Sequence, residues 1–103
     1  DDMFKEGGHR VSPVEIESVL VEHPAAKECA VIGQQESSNN KLVKPKAIVC
    51  LNADAISTEQ LTLELLRHCK AKLSTYKIPR WIEYTNELPK TATGKIQRFK
   101  LRN

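Results

Sequence analysis

The sequence predicts an α+β domain, a small sheet of about three strands with helices packed on it and a leading β-hairpin. Three observations predict it. Apolar residues recur at helical spacing in two segments, one around Ile16, Val19 and Leu20 and one around Leu61, Leu65 and Cys69. Short apolar runs at 28–33, 45–51 and 80–84 are too brief for helices and suit strands. The pair Gly7-Gly8 divides two extended pieces, as a hairpin turn does. A chain of 103 residues makes one domain with a modest core.

Taken in order, Met3 to Lys5 and His9 to Val11 form the hairpin arms. Ser12 opens the first helix: Pro13 suits the first turn, and Ser12 with Glu15 has the form of a capping box. His23-Pro24 closes it, because proline cannot continue a helix. Glu28 to Gly33 reads as a buried strand, and the polar stretch Gln34 to Asn40 as a loop. Pro45 to Leu51 is a second strand that pairs with the first as a hairpin. Ser57 with Gln60 forms a second capping box, and the helix it starts runs to about Lys72. Arg80 to Tyr84 is the third strand, residues 86–95 a loop, and Gln97 to Arg102 a short basic helix.

Forty per cent hydrophobic and 28 per cent charged residues are ordinary for a globular domain. No apolar run approaches the roughly 20 residues of a membrane span, and no signal peptide is visible, so a cytoplasmic location is expected. Cys29, Cys50 and Cys69 lie in apolar stretches without metal-ligand spacing, which suits buried, reduced thiols. The net charge of +3 hides an asymmetry. Residues 1–66 carry 6 Lys/Arg against 11 Asp/Glu, whereas residues 67–103 carry 10 against 2. A cationic last third points to an anionic partner. Aromatics are scarce and no nucleic-acid-binding signature appears, so anionic cofactors account for the charge better than nucleic acid.

The richest stretch is Leu88-Pro-Lys-Thr-Ala-Thr-Gly-Lys-Ile-Gln-Arg98, in which a flexible Thr-Gly pair presents Lys95. A phosphate-binding P-loop needs a glycine at position 89 and Ser or Thr at position 96; Pro89 and Ile96 exclude it. The run resembles the closing motif of the acyl- and aryl-CoA synthetases of the adenylate-forming superfamily, Pro-Lys-Thr-x-x-Gly-Lys-Ile-x-Arg. The opening Asp1-Asp-Met-Phe-Lys-Glu-Gly-Gly-His-Arg-Val-Ser-Pro-Val-Glu-Ile-Glu17 is similar to the family's hinge motif. Tyr76-Lys-Ile-Pro-Arg80 and His23-Pro24 also stand where the family carries them, and the likeness is strongest to benzoate-type ligases.

The resemblance implies the C-terminal mobile lid over residues 1–103, with the large N-terminal domain outside this sequence; the abrupt start at Asp1 fits an excised fragment, inactive alone. It implies a reaction in which ATP activates a carboxylic acid as acyl-AMP and CoA then takes the acyl group. Lys95 would be the adenylation lysine, and Gly7 and Gly8 would pass the pantetheine arm of CoA. Arg10 would approach nucleotide phosphate, with a salt bridge to a carboxylate as its alternative. Asp1 would be the hinge. ATP and CoA are the expected cofactors, with magnesium mainly on the large domain. In acetyl-CoA synthetases a cation can sit at the end of the equivalent helix, a place that Val21, His23 and Ala26 fill here. Lys90 and Arg98 are expected at the surface. Acetylation of Lys95 would remove its charge, which makes lysine acetylation machinery a possible partner. Two rival readings share part of the pattern: an adenylation domain of a peptide synthetase, and a small basic nucleic-acid-binding module.

Overall fold

The computed structural model describes residues 2–102. Strands β1 (Phe4–Glu6) and β2 (His9–Val11) form the leading hairpin, followed by helix α1 (Pro13–Leu20). Strands β3 (Ala26–Gln35) and β4 (Val43–Leu51) come next, then helix α2 (Glu59–Lys72) and strand β5 (Trp81–Thr85). Single turns of 3-10 helix lie at Thr75–Lys77 and Arg98–Leu101. The main sheet has the order β3-β4-β5, with β3 antiparallel and β5 parallel to β4. A parallel neighbour needs a crossover, and α2 supplies it.

The apolar runs in β3 and β4 are continuous because both faces of the sheet are covered. Side chains alternate across a strand. Cys29, Val31, Ala47 and Val49 therefore join Ile16, Leu20, Leu65 and Cys69 in a core beneath the helices. Ala30, Ile32 and Ile48 face the other way, where Leu88, Ile96 and Leu101 cover them. Those three belong to the segment that carries Lys95, so the C-terminal stretch is the second covering layer of the sheet.

The α+β expectation and the β3–β4 hairpin hold, and the elements differ from it at their ends. Both strands extend beyond their apolar runs, because Gln34 pairs with Lys44 and Gln35 with Val43 through main-chain bonds indifferent to side-chain polarity. Neither capping box forms. The Ser12 side chain makes no cap bond, and Glu15 instead pairs with Lys77 at 2.8 Å. The cap of α2 is Thr58, one residue later than expected, whose hydroxyl accepts the Leu61 N–H at 3.1 Å. The cysteines are free and buried, as expected.

The charge asymmetry has an internal explanation as well. Lys72, Lys77, Arg80, Lys90, Arg98 and Arg102 pair with Glu22, Glu15, Glu36, Glu28, Glu17 and Asp2 of the acidic first two-thirds. Most cations of the last third thus fasten the two halves of the fold together. Arg67, Lys70, Lys95 and Lys100 make no such pair among the described residues, so the inference of an anionic partner narrows to few side chains.

Candidate functional site

Lys95 stands on a turn held by its own main chain. The Thr91 N–H donates to the Lys95 carbonyl at 2.8 Å, and the Gly94 N–H to the Thr91 carbonyl at 3.0 Å. The Lys95 N–H in turn donates to the Thr91 hydroxyl at 3.0 Å. Gly94 supplies the positive φ, 88°, that closes the loop. At its base Lys90 and Ile96 form an antiparallel bridge, and the Gln97 N–H reaches the Pro89 carbonyl at 2.9 Å. Leu88 and Ile96 then plug the two stems into the core of the sheet's second face. The flexible pair expected at Thr93-Gly94 is therefore the tip of a bonded turn.

The Lys95 side chain is exposed, and its ammonium has no partner among the described residues. Its neighbours are occupied. Lys90 pairs with Glu28 at 2.8 Å. Arg98, expected at the surface, is a structural correction: its guanidinium is mostly buried and grips Glu17 through two nitrogens, at 2.6 and 2.8 Å, and Asp2 through a third at 3.1 Å. A two-pronged bond to a carboxylate fixes orientation as well as charge. Glu17, first in effect, holds the Arg98 pKa above the ordinary arginine value. Glu17 also accepts the Val31 N–H at 2.8 Å, so this acid joins α1, β3 and the C-terminal turn.

The leading hairpin is the second candidate. Gly7 and Gly8 both take positive φ, 54° and 89°, which a two-residue hairpin turn requires and other residues resist. A Cβ at either would meet nothing within 4 Å, so within this domain the glycines border open space. The arms are seated on the main sheet. Phe4 lies over Gly33, where a Cβ would come within 2.6 Å of its ring. Glu6 is buried and bonded to Lys44, and His9 stacks on Tyr76 with ring centres 4.1 Å apart. Arg10 lies on β2, exposed and engaged with a partner inside the domain. Asp1 falls outside the described residues.

His23 is committed within the fold. Its Nδ1 accepts the Ala25 N–H at 3.1 Å, and its Nε2 faces Glu64 at 3.4 Å. Val21 is the C-cap of α1, and Ala26 opens β3 with its N–H on the His23 carbonyl. Among the described residues no group of three or more His, Cys, Asp or Glu could hold a metal. A cation there would rest on carbonyls and would have to compete with Glu64 for the imidazole.

Cys29 and Cys69 are unsuited to thiol chemistry. Burial pushes the Cys29 thiol up to about 12 and the Cys69 thiol to about 11, so both stay protonated and inert near neutrality. No helix among the described residues is long and apolar enough to cross a membrane.

Lys95 and the two glycines stand out in the sequence as motif residues, whereas three residues that support them do not. Glu17 left a visible sign, since it sits on the same helix face as Pro13, Ile16 and Leu20, where a charge requires a buried partner. Thr91 was inside the motif but had no role. Gly33, on β3 and separated from the hairpin by helix α1, left none.

A model of the AMP-binding enzyme C-terminal domain matches residues 15–95. The benzoate–CoA ligase of Thauera aromatica is 50% identical over the whole chain, which covers 19% of that ligase. A mitochondrial acyl-coenzyme A synthetase of Mus musculus is 45% identical, again over the whole chain and 18% of its own length. Among solved structures, an anthranilate CoA ligase in complex with anthranoyl-AMP superposes with a TM-score of 0.91 at 56% identity, over 98% of this chain and 19% of that one. A benzoate CoA ligase from Burkholderia xenovorans LB400 does so at 0.83 and 49%, over 90% and 18%. The chain therefore spans about a fifth of the length of these relatives. With a family model matching residues 15–95 and relatives aligned over the whole chain, this chain belongs to the AMP-binding enzyme C-terminal domain family and, within it, resembles the acyl- and aryl-CoA ligases.

Proposed function

We propose that this chain is the mobile C-terminal domain of an ATP-dependent acyl- or aryl-CoA synthetase, acting in the cytoplasm. The observation that supports this most is the Lys95 ammonium, unpaired among the described residues and presented on a hydrogen-bonded turn while most nearby cations are tied to acids. In the first half-reaction a carboxylate oxygen attacks the α-phosphorus of ATP; the new O–P bond forms acyl-AMP and pyrophosphate departs. Two anions must meet there. A fixed ammonium offsets their repulsion and stabilises the charge that concentrates between them. In the second half-reaction the CoA sulfur attacks the acyl carbon, AMP leaves with the bonding pair, and the thiol proton is lost.

The hairpin serves that second step. Gly7 and Gly8 leave room for the pantetheine arm against a wall of the large domain, and Arg10 lies two residues on, towards the phosphates. The hinge at Asp1 lets one domain present first Lys95 and then the hairpin. Magnesium would accompany ATP on the large domain. A cation at Val21, His23 and Ala26 would be structural, pinning the end of α1, and no step passes through it. Acetylation would neutralise Lys95, and its exposure makes it accessible to the modifying enzymes.

The test is Lys95→Ala in the full-length enzyme. Carboxylate-dependent ATP–pyrophosphate exchange should fall roughly 100- to 1,000-fold, while thioester formation from supplied acyl-AMP continues. Equal loss of both half-reactions, or full exchange activity, refutes the assignment.

A further inference from the structure

The C-terminal turn that follows Lys95 is tied to the first residues of the chain. Arg98 and Arg102, one 3-10 turn apart, both donate to Asp2, at 3.1 Å to one carboxylate oxygen and 2.9 Å to the other. Arg98 continues inward to Glu17, which is almost fully buried and also holds the Val31 N–H. The chain is thus closed into a loop by charge. Asp2, the neighbour of Asp1, is bridged to the segment three residues beyond Lys95.

The hairpin does not depend on this clasp, since β1 has its own anchors in Phe4 on Gly33 and Glu6 on Lys44. The Asp2 carboxylate is partly exposed and makes no bond that the core requires. Its two partners both lie on the stretch that directly follows the Lys95 turn.

We propose that Asp2 is a positioning residue for Lys95: bridged by Arg98 and Arg102, it couples the entry of the domain to the turn that presents the ammonium. Rotation at the entry is then transmitted to Lys95 as one rigid movement. The proposal rests on the adenylation role of Lys95 and adds the residue that delivers it.

The experiment uses the full-length ligase carrying this domain. Asp2→Ala should lower ATP–pyrophosphate exchange about 10- to 100-fold, the scale of a small misplacement of a catalytic group. Thioester formation from supplied acyl-AMP and the melting temperature should stay at wild-type values. Asp2→Glu, which keeps the carboxylate, should restore most of the exchange. Arg102→Ala, which removes one bridge and leaves Arg98, should produce a smaller loss of the same half-reaction. Unchanged exchange in Asp2→Ala overturns the proposal, and so does a parallel fall of both half-reactions with a lowered melting temperature. Lys95→Ala measured alongside separates the two ideas. If it abolishes exchange and Asp2→Ala does not, only the clasp fails; if it leaves exchange intact, the reading of Lys95 fails first.

Discussion

The two glycine-bearing turns of this domain are fastened in opposite ways. The Lys95 turn is held from within: Thr91, Gly94 and Lys95 bond to one another, and the stems on either side carry their own apolar plugs, Leu88 and Ile96. The hairpin that carries the Gly7-Gly8 turn is placed from outside, by Gly33, Lys44 and Tyr76. A turn held by local bonds can present a charge to a changing environment without losing shape. A turn seated on a sheet instead presents a backbone edge at a fixed height over that sheet. That contrast suits the roles proposed for them, a lysine delivered to reacting anions and a glycine edge along which a long cofactor arm passes.

The contrast can be broken most severely at Glu17, the acid on which the Lys95 side depends. Glu17→Ala strands the mostly buried Arg98 and the Val31 N–H, and should cost about 3 kcal/mol of unfolding free energy, read as a shift of the denaturation midpoint in urea. A loss within experimental error would show that Asp2 alone satisfies Arg98. Next in size is the hairpin seat. Gly33→Ala places a Cβ 2.6 Å from Phe4 Cγ and 2.9 Å from a Val43 methyl, so β1 must move. Overpacking of this kind costs about 1–3 kcal/mol. Transfer to CoA should suffer while exchange is spared, and a thioester rate equal to wild type would disprove the seat.

Thr91→Val sharpens the other side. The swap keeps the shape and deletes the hydroxyl that accepts the Lys95 N–H, a loss of about 0.5–1.5 kcal/mol at the turn. Exchange should fall several-fold with thioester formation intact, and hydrogen exchange at the Lys95 amide should quicken. The smallest effect concerns the core beneath both turns. Burial raises the Cys29 thiol from 9.0 to about 12, so the unfolded chain ionises first as pH rises. This contribution to stability is intact below pH 9 and declines between 9 and about 12. Cys29→Ala should flatten that part of the stability–pH curve, and an unchanged slope would count against a thiol held protonated.

How far the sequence could be read follows the same division. The Lys95 motif was legible because its residues lie within a few positions of each other and bond locally; even there, Thr91 was visible as a letter and not as a bond. The strands were legible where apolar, and their polar ends were not, since Gln34, Gln35 and Lys44 pair only through backbone. The helix caps misled, because the Ser12 side chain makes no cap bond, Thr58 rather than Ser57 caps α2, and Glu15 is claimed by Lys77. The basic last third implied a partner, and much of that charge proved to be spent on acids 44 to 100 residues away.

By itself the sequence determined the fold class, the helix and strand order and the two motif-bearing turns. Periodicity, proline and glycine act over a few residues, and those residues are adjacent in the chain. Only the tertiary structure decided that Arg98 is a buried anchor, that Gly33 is a seat for Phe4, and that Lys95 alone in its motif turn is left unpaired among the described residues. Charge pairing and close packing depend on distance in space, and no local pattern records which distant residues folding will bring together.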